Sequence, residues 1–155
     1  MATGGVLGNG TKVAYSAASP VTWVRIGQLM DVTKFIQLIA NLVDTTVHST
    51  SNIMTTMPGM IPAPDVEIML LADNDETTSV SHEFLRTAQE TGATNYYRIE
   101  VPTNRAQTKF RPFEFQAFVK EYSIDTKIAD KQTTKVTLTY SGGYSVYPAS
   151  SGSIT

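Results

Sequence analysis

Four stretches of the chain alternate side chains with a period of two, and that period confines most of the fold to β-sheet. In 111–120, RPFEFQAFVK, Phe113, Phe115, Ala117 and Val119 fall on one side and Glu114, Gln116, Phe118 and Lys120 on the other. In 134–140, TKVTLTY, Val136, Leu138 and Tyr140 oppose Lys135, Thr137 and Thr139. In 95–101, Tyr97, Ile99 and Val101 oppose Tyr96, Arg98 and Glu100, and in 64–72, Val66, Ile68 and Leu70 oppose Glu67, Met69 and Leu71. Successive strand residues point to opposite faces, so each stretch reads as a strand with one face in a core. Shorter β-rich pieces lie at 12–16, 22–27 and about 29–38.

One segment breaks the rhythm. In 77–92, TTSVSHEFLRTAQETG, Val80, Phe84, Leu85 and Ala88 share a face at helical spacing. Thr78 or Ser79 can cap the start, the acids of 73–76 suit the positive end of the dipole, and Gly92 suits the residue just past the end. The spacing predicts one helix over about 78–91. At 155 residues the chain fits one domain with an apolar core. The chain is therefore expected to be mainly β with one helix, with a glycine-rich N-terminal arm over about 1–10 and a long loop over about 40–63. The small, polar segment 147–155 is expected to be a flexible arm.

Charged residues make up only 17% of the chain, where about a quarter is usual for a soluble domain. The formal net charge of −2 offers no basic field for gripping nucleic acid. The chain has no cysteine, which excludes disulfides and thiolate chemistry. MATGGVLGNGTK does not read as a signal peptide, and no apolar stretch reaches the roughly 18 residues that span a bilayer.

Candidate chemical sites fail on spacing. LVDTTVHST, residues 42–50, holds triad residue types in Asp44, His48 and Ser49, with Ser51 just beyond. Triad members come from distant parts of a chain and converge beside an oxyanion hole; three residues on one extended stretch point in different directions. With only His48 and His82, a multi-histidine metal site cannot be built. Asp73, Asp75 and Glu76 lack the glycine and closing glutamate of a calcium loop. Arg98, Arg105, Lys109 and Arg111 with Tyr96, Tyr97 and Phe110 mix basic and aromatic residues as single-strand binders do. Glu100 interrupts that set and the net charge opposes it, so it reads as a hairpin with a charged edge. The chain thus reads as a non-enzyme, with no catalytic residue, metal ligand or cofactor site.

The loop is more informative. No lysine or arginine lies between Lys34 and Arg86, and Met54, Met57 and Met60 stand among Pro58, Gly59, Pro62 and Pro64. Loops of about twenty residues are functional or disordered. Disordered segments are polar and charged, whereas this one is apolar, and flexible thioethers adapt to a partner's surface. Docking on another subunit is the expectation, with Asp44, His48, Ile53, Met54, Met57, Met60 and Ile61 as interface candidates; the alternative is a loop folded back on its own sheet. Asp44 would fix a turn through its short side chain.

The order of these features resembles the tail tube (major tail) proteins of long-tailed bacteriophages. The carriers are the glycine-rich arm, Val43-Asp44-Thr45-Thr46 opening the loop, Pro58-Gly59-Met60, and the Ser81-His82-Glu83-Phe84-Leu85 pattern on the helix. They continue with the aromatic–basic strand from Tyr96 to Pro102, the strand from Phe113 to Val119, and Ser141-Gly142 after the last strand. The resemblance covers most of 1–146. It implies a β-sandwich- or barrel-like subunit over 1–146 with one flanking helix, which closes with five others into a ring, its strands joining a continuous barrel around a lumen. Rings would stack into a tube that guides double-stranded DNA, unbound, to the host cell, with loop and arms bridging neighbours. The implied partners are the protein itself and the tape measure, tail initiator and tail terminator proteins, with no membrane. The implied location is the virion tail, assembled in the host cytoplasm.

DNA must slide, so a lumen wall should be neutral to acidic. The lumen-facing candidates are Glu67, Glu114, Gln116, Thr137 and Thr139, although Lys120 and Lys135 on the same faces count against a uniformly acidic wall. Two rivals stand beside this reading: a single-ring tail terminator or adaptor of the same plan, and a monomeric β-sandwich binding a small ligand through Trp23, Tyr96 and Tyr97.

Overall fold

A computed structural model of the protein describes residues 10–17, 22–33, 38–44, 56–72, 80–126, 128, 131–152 and 154. In chain order the elements are β1 (Lys12–Ser16), β2 (Val24–Arg25), β3 (Leu29–Thr33), β4 (Leu42–Asp44), β5 (Thr56–Pro58), β6 (Asp65–Leu71), α1 (Val80–Thr91), β7 (Thr94–Pro102), β8 (Phe110–Asp125) and β9 (Thr133–Val146). The fold is mainly β with one helix among the described residues, as the alternation predicts. Seven strands form one antiparallel sheet in the order β2-β1-β7-β8-β9-β6-β3, and β4 pairs with β5 in a separate hairpin.

The predicted strand at 22–27 shrinks to two residues, while β8 and β9 outrun their predicted 111–120 and 134–140. Their ladder extends from Asp125↔Thr133 to Phe113↔Val146. Backbone pairing continues past the apolar alternation because each strand supplies the other's hydrogen bonds. Two register shifts interrupt it, between Phe115 and Ala117 and between Val119 and Glu121.

One face of the sheet carries the core. Val13, Tyr15, Tyr97, Ile99, Phe115, Ala117, Val119, Val136, Leu138, Val66 and Ile68 gather there with Leu85 and Ala88 of α1. Tyr15 stacks on Phe84 with ring centroids 3.8 Å apart, and Phe115 stacks on Tyr140 at 4.3 Å. Gly92 takes the left-handed φ of +68° expected after the helix, and the Ala93 amide closes back on the Ala88 carbonyl at 3.2 Å. The cap candidates Thr78 and Ser79 lie outside the described residues. Val80, predicted on the buried face, is exposed; Ser81 and His82 are buried in its place. The reason is polar. The Gly27 amide donates to Ser81 Oγ at 3.2 Å and His82 Nε2 donates to the Gly27 carbonyl at 3.0 Å, tying α1 to the turn between β2 and β3.

Burial in this core pushes the Tyr97 hydroxyl up to about 12, and burial raises Tyr140 in the same direction. The folded state therefore keeps protons that the unfolded chain, with tyrosine near 10, gives up. That stabilisation is complete below about pH 10 and is lost as pH rises toward about 12. Denaturant titrations across this window should show stability falling, and Tyr140→Phe should make the fall shallower. Stability independent of pH there would contradict the burial of these hydroxyls.

The segment 147–155 was expected as a loose arm, but its described residues lie against the sheet. The Tyr147 amide donates to the Pro112 carbonyl at 3.1 Å, and Phe110 and Ser150 exchange two backbone bonds at 2.7 and 2.9 Å. The Ile154 amide then donates to Glu100 Oε1 at 2.7 Å, and Lys12 Nζ donates to the Ile154 carbonyl at 3.2 Å. Gly152 makes the turn with φ +90°, where a Cβ would sit 2.6 Å from Glu100 Oε2. The first part of β8 has backbone groups to satisfy, and small polar residues follow it as readily as any. The predicted N-terminal arm lies outside the described residues apart from Gly10.

Candidate assembly surface

The predicted long loop contains the β4–β5 hairpin. Leu42 pairs with Pro58, Val43 with Met57, and Asp44 with Thr56. The Gly59 amide donates to the Asn41 carbonyl at 2.5 Å, and a Cβ at Gly59 would approach that carbonyl and Val43 Cγ2 to 2.9 Å. Only glycine lets the two sides meet this closely at the hairpin base. Alternation does not reveal these strands because each is only three residues long, too short to show a period of two.

What the hairpin presents to solvent is apolar. Leu42 is 73% exposed, Met60 84% and Met57 51%, and Val43, Ile61, Leu38 and Ile39 are exposed around them. Contiguous exposed apolar surface marks an interaction site more often than an isolated exposed leucine does. Of the interface candidates, the structure places Met57, Met60 and Ile61 on this surface and Asp44 at the end of β4, while His48, Ile53 and Met54 lie outside the described residues. An open cleft of about 360 Å³ adjoins the hairpin base, lined by Leu38, Ile61, Pro62, Tyr140, Gly142 and Tyr144 among others.

The sheet face opposite α1 is polar. Register and alternation bring Glu67, Glu114, Gln116, Thr137 and Thr139 together on it. Arg98 is buried there between Glu114, at 2.5 Å, and Glu100, at 3.8 Å, with the Trp23 ring 5.8 Å away. Thr137 is buried and Gln116 exposed. Lys120 lies 3.1 Å from Asp65, and Lys135 lies 3.9 Å from Glu67.

The basic–aromatic set does not converge. Tyr97 joins the core, Arg98 is ion-paired on the polar face, and Phe110 is buried beneath the Lys12 ammonium at 4.6 Å. Trp23, Tyr96 and Tyr97 likewise line no common pocket. Among the described residues no group of three acidic or histidine side chains is placed to hold a metal ion, and no helix is long and apolar enough to cross a membrane. The Ser81-His82 pair, which carries part of the family resemblance, acts here as the clamp on Gly27. Nothing local in the sequence reveals that partner, which lies 54 residues away.

Among the described residues the chain is mainly β, with α1 on the apolar face of the seven-stranded sheet and an apolar hairpin beside it, and it shares its overall fold with chains of tail tubes. No protein-family model and no curated protein matches the chain. Solved structures do. The chain is similar to one in the tail of an empty gene transfer agent particle, refined with C6 symmetry, with a TM-score of 0.71 and 12% identity over 93% of this chain and 100% of that one. The SPP1 tail tube matches with a TM-score of 0.67 and 11% identity over 97% of this chain and 81% of that one. The tube-terminating cap of the anti-feeding prophage matches with a TM-score of 0.69 and 12% identity over 95% and 93%. At such identities the likeness establishes the fold, which is the one the resemblance implied.

Proposed function

We propose that the chain is a structural, non-enzymatic subunit that polymerises as stacked hexameric rings into a hollow phage tail tube, the conduit for genome DNA. The observation that carries this reading is the apolar β4–β5 surface, exposed on a subunit that shares its fold with chains of assembled tails. Soluble monomers rarely expose apolar side chains clustered in this way, and such clusters mark interaction sites. The sixfold symmetry of one matching tail supports a six-membered ring. Contact repeated around an axis closes a ring, and contact repeated along it builds a filament. The sheet ends in the short strands β2 and β3, and joining a ring-wide barrel would cover such edges.

In this reading Asp44, His48, Ile53, Met54, Met57, Met60 and Ile61 lie in contacts between subunits, and the polar sheet face lines the lumen. The tape measure, initiator and terminator proteins are its tail partners, and the subunit assembles in the host cytoplasm before residing in the virion. The likeness to a tube-terminating cap favours a second reading, a terminator or adaptor that stops at one ring. Negative-stain electron microscopy of concentrated, aged protein separates the two. Hollow tubes with a regular axial repeat are expected; isolated rings would replace the tube by the terminator.

A further inference from the structure

The lysines that seemed out of place on the polar face are not free charges. Lys120 of β8 meets Asp65 of β6, whose other carboxylate oxygen accepts the Thr139 hydroxyl at 2.7 Å. Lys135 of β9 meets Glu67, two residues along β6, whose other oxygen accepts the Thr33 hydroxyl at 3.4 Å. The same triplet of lysine, carboxylate and threonine is thus built twice. Partial burial works against the Asp65 carboxylate, yet the Thr139 bond and the Lys120 charge hold its pKa below the usual value. Of the other basic side chains that the register puts on this face, Arg98 is enclosed by Glu114 and Glu100, Lys12 donates to the Ile154 carbonyl, and Arg25 stands on the short edge strand β2, away from β6. Stability does not explain the pattern at the two lysines, because solvent-facing ion pairs contribute only about 0–1 kcal/mol.

We infer that Asp65 and Glu67 cancel the field of Lys120 and Lys135 so that this face does not hold double-stranded DNA. The inference rests on the tail-tube reading, in which the face lines the lumen. Unpaired lysines there would draw phosphates by releasing condensed counterions, and a ring would repeat them around the duplex. A lysine whose charge is offset by a neighbouring carboxylate attracts a phosphate less, because the pair brings little net charge to the polyanion. The face then keeps long side chains that fill the wall without a charge that would stall a moving polyanion.

The test compares wild type, D65N/E67Q, whose changes are isosteric, and D65N/E67Q combined with K120Q/K135Q, which removes the two positive charges. Each is polymerised with a short fluorescent DNA duplex and pelleted, and the tubes are counted by electron microscopy. Wild-type tubes should pellet without duplex, D65N/E67Q tubes should retain it, and removal of the lysines should abolish retention. Two lysines freed on each of six subunits would engage up to about twelve phosphates around a duplex, so retention should fall by several orders of magnitude between about 50 and about 200 mM salt. Retention that survives loss of the lysines, or D65N/E67Q tubes as clean as wild type, would overturn the inference. Unassembled subunits provide an independent reading: D65N/E67Q should elute from a heparin column at higher salt than wild type, and equal elution would count against charge cancellation. Absence of wild-type tubes would fall on the tail-tube reading alone, since the column does not depend on assembly.

Discussion

Leu42→Asp combined with Met60→Asp should leave a folded subunit that no longer assembles. Both side chains are largely exposed in the subunit, at 73% and 84%. Surface changes of this kind alter folding stability by about 0.5 kcal/mol or less. In a contact between subunits the accounting differs, because burying a leucine or methionine contributes about 1.5–3 kcal/mol. Losing two such contributions costs about 3–6 kcal/mol per contact, roughly a 100- to 10,000-fold loss in association. Burying two carboxylates against apolar neighbours adds to that penalty. Circular dichroism and thermal unfolding should match wild type, while sedimentation and microscopy show no polymer at concentrations where wild type assembles. Tubes at the wild-type threshold would remove the hairpin from the assembly surface. Met69→Gln, on the polar face of β6, is a control expected to assemble.

Much of this architecture was legible in the alternation of β6, β7, β8 and β9, because a strand with one face in a core cannot hide its period. The same alternation sorted Glu67, Glu114, Gln116, Thr137 and Thr139 onto one face before any register was known. It could not give the ion pairs, since Lys120 finds Asp65 across 55 residues and only the sheet order makes them neighbours. The helix was legible from Phe84, Leu85 and Ala88. Its buried face was misread at Val80 because apolarity was the only criterion, whereas Ser81 and His82 are buried by hydrogen bonds to a distant turn. The β4–β5 hairpin escaped for a different reason: each of its strands is only three residues long, too short to show a period of two. The C-terminal segment looked like an arm because its attachment is by backbone groups, and side-chain composition carries little record of those.

That attachment makes Glu100 the position where a single change should do the most damage to the fold. Its carboxylate is fully buried, accepts the Ile154 amide and stands 3.8 Å from the Arg98 guanidinium. Replacing it by alanine strips a partner from a buried cation, leaves the Ile154 amide unpaired under its own side chain, and opens a void behind Gly152. Breaking a buried ion pair from one side costs about 3–5 kcal/mol, and Glu114 still holds Arg98, so the lower end applies. A loss of about 3 kcal/mol corresponds to a fall of about 6–12 °C in Tm for a chain of this size. Glu100→Gln keeps the shape and an acceptor for Ile154, so it should recover part of the loss, separating hydrogen bonding from charge. Amide exchange at Ser150 and Ile154 should quicken in Glu100→Ala while Leu138 and Ile68, in the sheet centre, stay protected until global unfolding. If Glu100→Ala unfolds at the wild-type temperature with Ile154 still protected, the C-terminal segment is held by its β8 pairing alone.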